Sequence, residues 1–169
     1  MSRGGEQSVG HGAAGFAFLQ WKTGSPPPGQ RQHYLPYMLP TPTEILTRIK
    51  DGSLLSPAMI SGLDHDTILN ERDGDADFEA RWIRCNNQIE DQWRFADVKQ
   101  EMTSLIEDVC RESFLKVSRA TTQHEIASYV SDDFDLIVRG AVLGMNDDFL
   151  NRLWDAYDRN EIPSPQTGK

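Results

Sequence analysis

Between Thr41 and Tyr157 the apolar residues recur at intervals of three and four, the spacing that puts side chains on one face of a helix. Thr41, Pro42 and Glu44 make a capping box with proline at the first helical position. Ile45, Leu46 and Ile49 follow on one face, and Gly52 is placed to end the helix. Ser56 and Pro57 open a second helix through Met59, Ile60, Leu63, Ile68 and Leu69, with Gly62 weakening its middle. The stretch Asp77 to Ser118 has no proline or glycine, holds both cysteines, and is the segment around which the chain is expected to be organised. Its first stripe is Phe78, Trp82, Cys85, Ile89, Trp93 and Ala96. A second stripe, Val98, Met102, Leu105, Ile106 and Val109, is displaced by roughly 90° around the same axis. One unbroken helix would span about 60 Å, so a break is expected near Asp97, where Asp97 and Gln100 offer a further capping box.

Thr122 and Glu125 repeat the capping signature before Ile126, Tyr129 and Val130. SDDF at Ser131 and NDDF at Asn146 then look like two more helix starts, each with aspartates in the first turn where the helix dipole favours them. The helices they open would bury Phe134, Leu136, Ile137 and Val138, then Phe149, Leu150, Leu153, Trp154 and Tyr157. The fold class expected is all-α, a compact bundle of roughly five or six helices over residues 43–160. Residues 1–14 read as a disordered leader and 161–169 as a disordered tail. Residues 15–42 read as an extended apolar, proline-rich arm. Its Tyr34 and Tyr37 would lie against the chain's own helices or dock on another chain.

Charge narrows the partners. The 169 residues sum to −9; residues 1–40 carry Arg3, Lys22 and Arg31 against Glu6, so the remainder stands at −11. Such a surface repels nucleic-acid phosphates and anionic lipid, and no apolar run approaches the roughly 18 residues of a membrane span. Neither nucleic acid nor membrane is an expected partner. Two cysteines and no convincing signal peptide point to a reducing, cytoplasmic setting.

Several constellations could carry chemistry. Asp73, Asp75 and Asp77 alternate as in a calcium loop, but Phe78 stands where such a loop needs its glycine and Arg84 where it needs its final glutamate. Asp64-His65-Asp66 contains the His-Asp pair that metal-dependent hydrolases of the HD type place on one metal. His65 and Asp66 would be its ligands, completed by His33 and by Asp91 or Asp108. Cys85 and Cys110 fall on apolar stripes and read as core thiols rather than as nucleophiles paired with His124. Thr122 to Arg139, TQHEIASYVSDDFDLIVR, resembles a helix-turn-helix. It lacks the turn glycine at Ser131 and would present Asp132, Asp133 and Asp135 to phosphates.

The acidic clusters are the remaining signal: residues 64–79 carry seven acids against Arg72, and residues 132–158 carry seven against Arg139 and Arg152. The reading that follows is a non-catalytic interaction protein, of the inhibitor, immunity or adaptor kind, that needs no cofactor and binds a protein with a basic surface. The expected contact residues are Asp73, Asp75, Asp77, Asp132, Asp133, Asp135, Asp147 and Asp148, with Tyr34 and Tyr37 from the arm. An HD-type hydrolase and a helix-turn-helix regulator are the alternatives.

Overall fold

Thr41 accepts the Glu44 backbone N–H at 3.3 Å while the Glu44 carboxylate accepts the Thr41 N–H at 2.8 Å, and this box starts α1 (Pro42–Asp51) in a computed structural model that describes residues 38–165. Gly52, at φ 85°, ends it in the left-handed conformation that costs glycine nothing. The described residues form seven helices and no strand: α1, α2 (Pro57–Ser61), α3 (His65–Gly74), α4 (Ala76–Trp93), α5 (Gln100–Thr121), α6 (His124–Val142) and α7 (Asp148–Asp158). The all-α expectation holds, with a higher helix count than expected. The helix foreseen after Ser56 is two helices, α2 ending at Gly62 and α3 starting where Asp64 accepts the Thr67 N–H at 3.2 Å.

The break near Asp97 is real, since α4 ends at Trp93 and α5 begins at Gln100. Its capping detail is not as expected: Lys99 occupies the cap position and contributes no side-chain hydrogen bond. Each stripe keeps its own buried set, Cys85 and Ile89 on α4, and Ile106, Val109 and Val117 on α5.

The C-terminal half departs further. Thr122 is not the cap of the helix expected after it, which begins at His124 with Gln123 in the cap position; Thr122 ends α5 in left-handed geometry, φ 58°, donating its N–H to the Ser118 carbonyl at 2.9 Å. The anticipated start at Ser131 is the middle of α6, and Ser131 Oγ donates to the Cys110 carbonyl on α5 at 3.2 Å. Val130, Phe134, Ile137 and Val138 carry one apolar face straight across Ser131, and its burial outweighs the preference of Ser and Asp for helix ends. At the NDDF segment the cap is Asp147 rather than Asn146, accepting from the N–H groups of Phe149 and Leu150 at 2.8 and 3.1 Å.

The centre of the fold is therefore α6, which touches α1, α4, α5 and α7 and buries nine of its residues, and not the 77–118 stretch. Gly140 lets α7 approach, because a Cβ there would sit 2.6 Å from Leu150 Cδ1. The chain beyond α7 is not free either: Ile162 is buried in the core, so the tail expected from 161 onward is packed at its start. At the other end Leu39 packs against the core, while Tyr34, Tyr37 and the rest of residues 1–37 lie outside the described residues.

Candidate partner-binding face

Asp133 is fully buried on α6 and takes four hydrogen bonds from three other helices. Arg72 of α3 donates from Nη1 and Nη2 at 2.7 and 2.9 Å, Trp82 of α4 from its indole N–H at 3.0 Å, and Tyr157 of α7 from its hydroxyl at 2.8 Å. Burial works against the charge of Arg72, but the Asp133 carboxylate more than offsets it and holds the guanidinium above its ordinary pKa. Burial and then the same carboxylate push the Tyr157 hydroxyl well above its usual value. The guanidinium is also flanked by two rings, 5.0 Å from the centroid of Phe78 and 4.9 Å from that of Tyr129. Sequence spacing gave no hint of this network; Arg72 reads there as the lone base of an acidic corner and Asp133 as a surface acid.

Asp133 is thus withdrawn as a partner-contacting residue: its carboxylate is spent inside the protein. The other acids divide by location. Asp75 and Asp147 cap α4 and α7 through their side chains, and Asp77 and Asp148 lie exposed in the first turns of those helices. Asp77 shares a cleft with Arg81 and Arg152, which dilute its charge. Asp135 pairs with Arg139 at 3.4 Å, and Arg139 makes a closer pair with Glu90 at 2.6 Å.

Asp73 and Asp132, far apart in sequence, come together. They line one cleft of about 460 Å³ between α3, α4 and α6, joined by Glu79, with Phe78, Trp82 and Tyr129 forming its apolar surface. Ile83, an exposed apolar residue at 46% accessibility, extends that surface. The Tyr129 hydroxyl donates to Asp73, which with burial pushes the tyrosine up to about 12. Burial, followed by repulsion from Asp133 and Asp135, pushes the Asp132 carboxyl above the ordinary aspartate value. Among the described residues no ion pair engages Asp73, Glu79 or Asp132. A second cleft that Trp82 also lines includes Ile106, Glu107, Cys110 and Asp135, and Asp132 borders both. The aromatic part of this face was missed in the sequence, because Phe78 and Trp82 fit the core stripe of α4; the one visible sign was Ile83, an apolar residue off that stripe.

The alternative chemistries do not assemble. His65 and Asp66 open α3, with His65 Nε2 enclosed, and no group of three or more His, Cys, Asp or Glu among the described residues is placed to hold a metal ion. His33 lies outside the described residues. The helix-turn-helix has no turn, since Thr122 to Arg139 is a helix end followed by most of α6. Burial pushes both cysteine thiols up to about 12, leaving them protonated, as core positions imply.

Among the described residues the fold is all-helical, with an aromatic cleft rimmed by carboxylates. Residues 44–164 match the family model described as Immunity protein PIM1, and the chain belongs to that family. Membership agrees with the immunity-like reading of the sequence and implies a protein partner. No curated protein matches the chain.

Proposed function

We propose that this protein binds and neutralises a toxin protein with a basic surface, meeting it in the cytoplasm and engaging it through the cleft between α3, α4 and α6. The observation that carries this reading is the pairing of an aromatic surface with three carboxylates, Asp73, Glu79 and Asp132, that have no ion-pair partner among the described residues. Carboxylates held at the rim of an apolar surface steer a basic partner and then lose water against it, whereas isolated surface acids do neither. Trp and Tyr at the centre of such a patch are the residue types that carry most binding energy when buried by a partner.

The full chain serves as bait in an extract of its native cells, beside two charge-reversal variants of equal net charge. Asp73→Lys, Glu79→Lys and Asp132→Lys together reverse the cleft; Asp91→Lys, Glu101→Lys and Asp148→Lys reverse exposed acids elsewhere. The expected result is one basic protein retained by the wild type and by the second variant, with retention by the first reduced by about tenfold or more. A partner held equally by all three, or a partner with an acidic surface, contradicts the proposal.

A further inference from the structure

We infer that the cleft beside Trp82 receives an arginine side chain of the partner protein, its guanidinium stacked on the indole and paired with Asp132. The inference rests on the cleft being the partner-binding face. Its ground is a comparison among the protein's own aromatics. Arg139 lies 4.8 Å from the ring centroid of Trp93 while pairing with Glu90, and Arg48 lies 5.3 Å from that of Trp154 while pairing with Asp158. Trp93 and Trp154 thus each have the same set, an indole, an arginine over it and a carboxylate for the arginine. Trp82 has the indole and, in Asp132, a carboxylate bordering both of the clefts that Trp82 lines, but among the described residues no cation lies over its ring.

The neighbouring Arg72 cannot fill the place. Its side chain is only 4% exposed, it lies between Phe78 and Tyr129, and both terminal nitrogens are committed to Asp133. Because that pair is neutral as a unit, it does not repel a second arginine entering the cleft. The indole N–H bond to Asp133 fixes the Trp82 ring, so stacking costs little further ordering. Arginine suits the site better than lysine, being planar, weakly hydrated and able to stack and form two parallel hydrogen bonds at once.

The test uses the full chain, labelled with ¹⁵N and titrated with acetyl-Gly-Arg-Gly-amide and with the matching lysine peptide. The Trp82→Phe variant identifies the Trp82 indole N–H resonance by its loss. The expected outcome is a saturable shift of that resonance and upfield movement of the arginine side-chain protons. Binding should be about fivefold or more tighter for arginine than for lysine, and weakened to a similar degree by Asp132→Asn with the rest of the spectrum unchanged. Absence of saturation, equal response to both peptides, or indifference to Asp132→Asn overturns the inference. If the peptide fails while cleft reversal still abolishes partner capture, the arginine is wrong and the face is right. Capture that survives cleft reversal overturns both.

Discussion

Asp133 gathers its donors from α3, α4 and α7, so one carboxylate ties three helices to the central one. The energetic weight of such a group lies less in the attraction it supplies than in what its removal leaves behind, a buried arginine with no counter-charge. Asp133→Asn keeps the shape and loses the charge, and is expected to lower stability by about 3 kcal/mol or more, read as a reduced urea midpoint at unchanged slope. A loss below about 1 kcal/mol would mean that Arg72 finds water or another partner when Asp133 is neutral. Replacing the pair together, Arg72→Met with Asp133→Leu, should recover only part of the loss. Trp82 and Tyr157 would still have N–H and O–H groups with no acceptor.

At the scale of elements, α6 stays unbroken because its apolar face is continuous, and its partners approach it to different degrees. The crossing with α7 is the tightest test: a methyl group at Gly140 meets Leu150 Cδ1 at 2.6 Å, and Leu150 is itself fully buried with little room to yield. Alanine gains about 1 kcal/mol of helix propensity over glycine, against an overpacking cost of about 1–3 kcal/mol. Gly140→Ala is therefore expected to be destabilising or at best neutral. Gly74→Ala, where nothing stands within 4 Å of the added carbon, should be neutral or slightly stabilising. Melting temperatures of the two variants against wild type check the contrast, and a stabilised Gly140→Ala would show that α7 can shift away.

For the molecule as a whole, six carboxylates fall into two groups with opposite consequences for stability against pH. Asp132 and Asp135 have raised values, chiefly through burial, so in the window between the ordinary aspartate pKa and the raised one the folded protein holds protons the unfolded chain has lost. Stability then falls as pH rises through that window. Glu44, Asp51, Asp64 and Glu90 have lowered values, through hydrogen bonds from Thr41, Ser53, Thr67 and Arg139 respectively. Their contribution is present above the unfolded carboxyl pKa and is lost as pH falls through the folded one. The expected profile rises as pH falls through the raised Asp132 and Asp135 values, then falls below the ordinary carboxyl range, and the combined variant Asp132→Asn and Asp135→Asn should flatten the rise. Urea midpoints measured across the acid range decide this, and a monotonic fall with decreasing pH across that range in the wild type would count against it.

What local spacing and end chemistry could carry was legible in the chain. The helical class, the Thr41 box with its Gly52 stop, the Ser56 start, the break near Asp97 and the buried faces of α1, α4, α5 and α7 depend on residues within a turn or two of one another. Ser131 was misleading for the complementary reason: its local preference for a helix start was real but smaller than the burial of a face running past it, whereas at Thr122 a helix does start close by, at His124 with Gln123 in the cap position. The pairing of Arg72 with Asp133, 61 residues apart, and the meeting of Asp73, Glu79 and Asp132 around Trp82 follow from how α3, α4 and α6 cross. A charge carries no mark in the sequence of whether it will face water or a buried partner. Packing withdrew Asp133 from the surface and left Asp132, its neighbour, at the cleft, because successive residues on a helix point about 100° apart.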